Sequence, residues 1–283
     1  MVGFAGVHRL VAADEAGRTH MAHWRKVPSQ ASIAGWWVDL SMAAGNPKPN
    51  FYVGGELEAT ALDGFDGIFH GDDKAPGSKH LVTLGLMSPT AGFVCQFKLV
   101  DYLLFYPFID GDSADEQPMV NDVSLPRYST AGGQVMAVAV APSAGAGSFE
   151  FTYTNQDGDV VTSPVQSCST TAANIATLVT SQQGVVGCNR PFLRLADGDT
   201  GVRRVESVRF LAPNGGLIAL VIVHPITDHA IREVGTPAEK TWGDQFAGAP
   251  RIEDGAYLGL LCNSSASVAA GLLSGYARFV WSD

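Results

Sequence analysis

Histidine and carboxylate side chains are the first candidates for chemistry in this sequence, because both can bind metal ions or transfer protons. The closest histidine pairs are His20 with His23 and His224 with His229. Neither pair matches the helical zinc motif, in which a glutamate follows the first of two histidines. His224 also precedes Pro225 at the end of an apolar run, which favours extended backbone. We therefore expect histidines at the surface or at strand ends, and no metal ligands.

The densest acidic group comprises Asp110, Asp112, Asp115 and Glu116, with Asp122 nearby. Loops rich in carboxylate oxygens can hold Ca²⁺, and an ion that bridges subunits would suit an assembled shell. An EF-hand loop would need an oxygen donor where Ala114 stands and a glycine elsewhere than Gly111. We favour a solvated loop without metal, and melting of the assembly that is unchanged by excess EDTA would count against the calcium alternative.

Local motifs of common enzymes are missing from the sequence. There is no Gly-x-Ser-x-Gly elbow and no P-loop, and Gly145 with Gly147 lacks the third glycine of a dinucleotide fingerprint. A glycosidase would need two carboxylates at a defined separation, and nothing in the chain places such a pair. We expect no catalytic residue, no cofactor and no enzymatic activity.

Composition limits the classes of partner. Charged residues make up 16% of the 283 positions, against roughly 25% in typical globular proteins, while the chain holds 32 glycines and 15 prolines. Short strands joined by many turns, with part of the weakly charged surface covered by neighbouring subunits, fit these values. The formal net charge of −10 argues against nucleic-acid binding.

No membrane or secretory segment is expected. The apolar run at residues 217–223 is too short to span a bilayer, and the amino end lacks a basic start followed by a long apolar stretch. The four cysteines, Cys95, Cys168, Cys188 and Cys262, are scattered. We expect buried thiols, with a Cys168–Cys188 disulfide or metal binding as alternatives.

Residues 1–50 differ from the remainder because they are rich in histidine and tryptophan. They could form an ordinary first strand pair, or an arm that lays Trp24, Trp36 and Trp37 on a neighbouring subunit. A later loop carries Trp242 and Phe246. We predict that these five aromatic residues are interface anchors, although tryptophans such as Trp36, Trp37 and Trp242 could also stack on sugars.

Short apolar runs separated by turns predict the strands. Residues 101–110 (DYLLFYPFID) indicate a strand buried on both faces, with Pro107 ending its regular pairing or marking an edge. Residues 149–154 alternate in size and meet the Asp157-Gly158 turn, which predicts a hairpin. Residues 202–210 and 217–223, joined by Asn214-Gly215-Gly216, predict a second hairpin. Residues 134–140, 257–262 and 272–281 predict further strands.

The helical content should be low. Residues 169–179 carry capping residues ahead of Ile175, Leu178 and Val179, which predicts one short amphipathic helix. The fold class is therefore mainly β, with two β-sandwich or jelly-roll-like domains and at most one or two short helices. We divide the chain into an N-terminal segment or arm (1–50), a first β domain (51–130) and a second β domain (131–283).

Four stretches resemble poorly characterised virion structural proteins of tailed bacteriophages: residues 101–110, 125–128 (LPRY), 153–158 (YTNQDG) and 198–202 (GDTGV). The resemblance extends over most of the chain after Asn50. It implies a structural role in the virion, brings no catalytic residues, and does not choose between head and tail.

The absence of a long helical period and of fibre-like repeats favours a capsid decoration or cement protein. Its expected partners are the major capsid protein and copies of itself, as in a homotrimer. Its expected location is the capsid surface of a virion, after synthesis in the host cytoplasm. The alternatives are a tail or other virion component, a host-surface glycan-binding module, and a polysaccharide hydrolase.

Overall fold

The computed structural model describes residues 6–28, 30, 33–90, 94–182, 190–242, 248–266 and 271–282. Within them lie one α-helix, two 3-10 turns (Leu40–Met42 and Gly64–Asp66) and seventeen strands. In chain order the elements are α1 (Val7–Glu15), β1 (Thr19–Val27), β2 (Trp37–Asp39), β3 (Ala44–Asn46), β4 (Thr60–Ala61), β5 (Lys79–Met87), β6 (Cys95–Asp110), β7 (Gln117–Pro118), β8 (Gln134–Ala141), β9 (Ser148–Asn155), β10 (Val160–Thr162), β11 (Gln166–Ser167), β12 (Val202–Ala212), β13 (Leu217–Ile231), β14 (Ala238–Thr241), β15 (Arg251–Ile252), β16 (Tyr257–Ser264) and β17 (Leu273–Trp281). The predicted mainly β class, with at most one or two short helices, is confirmed.

The strands form three antiparallel sheets. Sheet 1 has the order β14-β5-β17-β1-β3, and β15 also pairs with β5. Sheet 2 has the order β10-β9-β12-β7, and β11 also pairs with β9. Sheet 3 has the order β2-β16-β6-β13-β8, and β4 also pairs with β6. Its long central strands, β6 and β13, are long enough to contribute side chains to the packing against both of the other sheets.

Three apolar cores join the sheets in a β-sandwich-like arrangement. In the first core, side chains of β6, β8 and β13 pack against β9 and β12 of sheet 2. In the second core, β16 and the beginning of β6 pack against β1, β5 and β17 of sheet 1. In the third core, sheet 3 is covered by residues outside the long strands, among them Trp37, Met42, Tyr52 and Leu62. Sheet 3 is therefore buried along most of its length, as its continuous apolar strands require.

The most apolar run of the sequence is a central strand, as predicted. Residues 101–106 of β6 are all buried, and β6 pairs with β13 on one side and β16 on the other. Pro107 interrupts this pairing without ending the strand, because Tyr106 lies opposite Leu220 while Ile109 lies opposite Ile218. The register shift is a β-bulge, which accommodates a proline that cannot donate a hydrogen bond.

One of the two predicted hairpins forms. β9 pairs with β10 across the Asp157-Gly158 turn. The other prediction is wrong: β12 pairs with β9 and β7 in sheet 2, whereas β13 pairs with β6 and β8 in sheet 3. The turn at Asn214 instead hydrogen-bonds to neighbouring loops at Gly111 and Gly145, so the chain crosses from one sheet to the other. β12 and β13 face each other across the first core.

The helix predicted at residues 169–179 is also wrong. Thr177 forms a bridge with Val38, and Leu178 forms one with Val138, so this segment lies along the edges of β2 and β8. Its backbone groups bond to other segments: Leu178 N–H donates to the carbonyl of Trp37 at 2.9 Å. Tertiary pairing has replaced the local hydrogen bonds of a helix. The α-helix instead lies at α1, inside the segment predicted as a strand pair or arm.

The three predicted segments of the chain share their sheets. β6, from residues 51–130, pairs with β13 and β16, from residues 131–283. β1, from residues 1–50, lies between β17 and β3 in sheet 1. The predicted boundary near residues 128–134 is therefore crossed by hydrogen-bonded pairs of sheet 3. Among the described helical residues, none forms a helix long and apolar enough to cross a membrane.

Candidate functional site

The structure places the predicted interface tryptophans inside the chain. Trp24 packs in the second core, Trp36 in the first and Trp37 in the third, and Trp242 joins Trp24 in the second core. Each of these four residues is at most 6% exposed. In this conformation their rings fill the chain's own cores and offer little area to a neighbour. Phe246 lies outside the described residues, and the role of all five at an interface stays a prediction.

The candidate histidines and acids have partners of other kinds. His20 packs edge-on against Phe69 with ring centroids 5.2 Å apart, and His224 stacks on Tyr128 at 3.8 Å. Lys48 and Asp66, which line a cleft of about 420 Å³ beside His20, pair with each other at 2.7 Å. Across the described ranges, no three histidine, cysteine, aspartate or glutamate side chains are grouped as metal ligands.

The acidic loop between β6 and β7 is organised by its own hydrogen bonds. The carboxylate of Asp110 accepts from the Asp112 N–H at 2.9 Å, and the Ser113 hydroxyl accepts from the Asp115 N–H at 3.2 Å. Glu116 accepts from the Ser207 hydroxyl of β12 at 2.7 Å. These bonds shape the loop and connect it to sheet 2.

A buried network of hydrogen bonds surrounds Asp39, at the end of β2. Its carboxylate accepts hydrogen bonds from the hydroxyls of Tyr52 and Tyr102, the latter at 2.5 Å. It also accepts from the N–H and the hydroxyl of Ser41, both at 2.8 Å. Burial raises the pKa of Asp39, and these hydrogen bonds oppose that change. The carboxylate therefore joins the 3-10 turn, the segment at Tyr52 and strand β6.

Lys26 of β1 binds to the same region. Its ammonium group donates to the carbonyls of Ala43 at 3.1 Å and Pro47 at 2.8 Å, and it lies 3.5 Å from that of Ser41. Burial lowers the pKa of Lys26 to about 8, although Asp39 opposes the shift. This lysine fixes the segment on both sides of β3, from Ser41 to Pro47.

A second buried carboxylate, Asp101 of β6, pairs with Arg127. The two guanidinium bonds, from Nε and Nη2, are both 2.8 Å long, and the Tyr257 N–H of β16 donates to the same carboxylate at 2.9 Å. Arg127 also donates to the carbonyl of Tyr102 at 2.9 Å. Burial raises the pKa of Asp101 to about 6 against the effect of Arg127. The pair attaches the loop after residue 125 to the centre of sheet 3.

A third buried group contains Lys79 and His70. Lys79 Nζ donates to His70 Nδ1 at 2.7 Å and to the Gly71 carbonyl at 3.1 Å, while His70 Nε2 lies 2.9 Å from the Ala256 carbonyl. The imidazole must be neutral, with its proton on Nε2, to make both bonds. Burial, and then the nearby ammonium of Lys79, lower the pKa of His70 to about 4.

In these three groups the charged atoms contact polar atoms of the chain itself, and each group joins segments that are distant in sequence. Our sequence interpretation missed them, although a signal was present. Asp39 and Asp101 each stand within apolar runs, Trp-Trp-Val-Asp-Leu and Leu-Val-Asp-Tyr-Leu, where a carboxylate must find buried partners.

One exposed apolar feature depends on the Asp39 group. Tyr52 is 1% exposed, whereas its neighbours Phe51 and Val53 are 54% and 75% exposed. Tyr52 adopts a positive φ of 53°, and its hydroxyl is held by Asp39 and Ser41. Because the Tyr52 side chain is anchored in the interior, the side chains of Phe51 and Val53 remain exposed to solvent. We call these two residues the Phe51/Val53 pair.

Comparisons with known proteins give little guidance. No family model and no curated protein sequence matches the chain. Among solved structures, the chain is similar to the infectious bursal disease virus Gt strain structure, with 8% identity over 93% of this chain and 80% of that chain and a TM-score of 0.19. Infectious bursal virus-derived T=1 particles (8%, 93% and 77%, TM-score 0.15) and the VP2 subviral particle (8%, 93% and 80%, TM-score 0.17) also match. At TM-scores this low, the similarity identifies neither the fold nor the function of the chain.

Proposed function

We propose that this chain is a non-enzymatic structural protein of a virus particle, and specifically a decoration or cement protein on the capsid surface. Its partners on this proposal are the major capsid protein and copies of itself, as in a homotrimer. It is made in the host cytoplasm and binds after the shell has assembled. It takes no cofactor and binds neither nucleic acid nor membrane.

The Phe51/Val53 pair is the observation that carries the proposal. Exposed apolar side chains bind partners best when they are already held in the bound geometry, because less side-chain freedom is lost. Tyr52 fixes the backbone between Phe51 and Val53 through its buried hydrogen bonds, which keeps both side chains on the exposed side of the segment. The pair therefore has the properties of a small protein-binding contact, and covering it would remove apolar surface from water.

The use of the buried charges supports a structural role. The groups around Asp39, Asp101 and Lys79 connect distant segments and resist their separation. A protein that binds the assembled shell more tightly than the free subunits stabilises the shell by mass action, and many copies add their effects. Resistance to unfolding is a requirement of that task.

The proposal is tested on virus particles from the genome that encodes the chain. Mass spectrometry of purified particles should find the chain in numbers comparable to the capsomers, and electron microscopy should place it on the head. A location on the tail would support the other virion role and contradict the decoration role. Absence from particles, or turnover of polysaccharide by the purified chain, would refute the proposal as a whole.

The contact itself is tested with stripped shells. Adding back the F51S/V53S variant should give at least a tenfold lower affinity than the unchanged chain, corresponding to about 1.4 kcal/mol or more. The matched control is V7S/V11S, which alters two exposed valines of α1 that are 46% and 47% exposed. Equal binding of F51S/V53S and the control would show that the Phe51/Val53 pair is not the contact.

A further inference from the structure

Two of the four cysteines lie on neighbouring strands of sheet 3. β6 and β16 pair antiparallel, with Cys95 opposite Ser264 and Phe97 opposite Cys262. Because positions two apart on a strand share a face, Cys95 and Cys262 occupy diagonal positions on one face of the sheet. Both are buried in the second core.

The two side chains interact through a hydrogen bond between Cys262 and Cys95. Both are free thiols in this structure. Burial, the largest cause, raises the pKa of the Cys262 thiol, and the contact with Cys95 adds to the effect. Diagonal positions of an antiparallel pair have Cα atoms about 7–8 Å apart, slightly beyond the separation of about 4.4–6.8 Å that a disulfide spans. Closing the bond therefore requires a small approach of β6 to β16 together with rotation of the two side chains.

Cys95 is only 5% exposed, but it borders a cleft that opens to solvent. Cys95 lines a cleft of about 620 Å³, together with Gly35, Val94, Gln96 and Ser264. Such a cleft has room for a low-molecular-weight disulfide to bring one of its sulfur atoms to Cys95. Cys262 is buried in the same core and is not among the residues that line the cleft.

We propose that Cys95 and Cys262 form a reversible disulfide within the chain when it meets a small-molecule disulfide oxidant such as oxidised glutathione. The Cys95 thiolate attacks one sulfur of the oxidant, which gives a mixed disulfide and releases one small thiol. The Cys262 thiolate then attacks the Cys95 sulfur, which forms the Cys95–Cys262 bond and releases the second small thiol. The protein loses two protons and two electrons, and the oxidant is reduced to two thiols.

Whether the disulfide forms would depend on the redox conditions of the compartment. A reducing cytosol keeps such pairs as thiols, and an oxidising exterior favours the disulfide. The bond would connect the beginning of β6 to the end of β16, a long way apart in sequence, and so restrict the unfolded chain. The proposal is independent of the assembly role above, since it requires only the two thiols and the oxidant.

The test uses the purified full chain, incubated for several hours at pH 8 with oxidised or with reduced glutathione. Oxidation should lower the intact mass by two hydrogen atoms and yield a peptide pair joined through Cys95 and Cys262 after digestion. The melting temperature should rise by roughly 5–10 °C, and a strong reductant should reverse both changes.

The controls are the variants C262A and C168A. C262A should lose the cross-link and the rise in melting temperature, whereas C168A, which alters another buried cysteine, should keep both. If C262A does not fold, the peptide map of the unchanged chain still shows whether Cys95 and Cys262 are joined. A stable mixed disulfide at Cys95, a cross-link through any other cysteine, or no cross-link would overturn the proposal.

Discussion

At the scale of single residues, burial is the largest cause of the pKa shifts of the interior polar side chains. His70 and Asp39 lie in the interior, and their hydrogen-bond partners come from segments distant in sequence. The sequence predicted neither contact, because a histidine or aspartate between apolar residues reveals that partners are needed but not which ones. For the tryptophans, the sequence could not distinguish a core position from an interface position, because a large ring suits both equally well.

The neutral state of His70 should make the chain sensitive to acid. Its pKa is about 4 in the folded chain, below the ordinary 6.5, so the unfolded chain takes up the proton first. The stability that His70 confers is complete above pH 6.5 and is lost as the pH falls towards 4. The difference is about 3 kcal/mol over that window. Urea unfolding of H70Q at pH 7 and pH 4.5 should show a smaller acid loss than the unchanged chain.

The control for this prediction is H8Q, which alters an exposed histidine of α1. It should follow the pH profile of the unchanged chain. An H70Q profile as steep as that of the unchanged chain would mean that other groups cause the loss.

At the scale of elements, strands were predictable where periodicity and turns agreed. β9 and β10 formed the expected hairpin, because a short turn leaves few other pairings. The Asn-Gly-Gly turn after β12 fixed only the local backbone, and both edges of β12 are occupied by β9 and β7. Which edge receives a strand depends on partners far away in sequence, and a local pattern does not contain that information.

The Asp101–Arg127 pair should be important for the connection between β6, β16 and the loop after residue 125. R127M leaves a buried carboxylate without its counter-ion, and the free energy of unfolding should fall by about 3–5 kcal/mol. Adding D101N should recover part of the loss, because the second change removes the unpaired charge. Denaturant unfolding at pH 7.5 measures both values.

The matched control is R209M, which breaks the exposed Arg209–Glu150 pair of sheet 2, 2.6 Å long. Surface pairs contribute about 0–1 kcal/mol, so this variant should melt almost like the unchanged chain. Equal losses in R127M and R209M would contradict the importance given to burial.

At the scale of the whole molecule, the described part of residues 1–50 contributes strands β1, β2 and β3 to the sheets. The sequence predicted a mainly β protein correctly, yet it could not assign the first segment, because an arm and a first strand have the same local pattern. β1 lies inside sheet 1, and Trp24 belongs to the second core. α1 lies at the side, where Ala13 packs with Val82 and Val280.

Two N-terminal truncations should therefore differ in whether the remaining chain still folds cooperatively. Removing residues 1–18 deletes α1 and should leave a cooperative, somewhat less stable fold. Removing residues 1–45 deletes β1 and should abolish cooperative melting, so a loss of capsid binding by that form would report unfolding. Circular dichroism and calorimetry measure both, and a cooperative transition in the longer truncation would restore the arm hypothesis.

The pairing of β1 with β17 has a consequence for synthesis. Thr19 and Phe279 are in contact although they are 260 positions apart. On the ribosome, β1 can pair early with the short strand β3, but its longer partner β17 is made only after the other strands of the three sheets. The apolar strands made meanwhile have no completed sheet to join. Nascent chains of this kind fold slowly and are prone to aggregate. Recombinant yield should therefore depend on chaperone capacity and growth temperature more than on the stability of the finished protein.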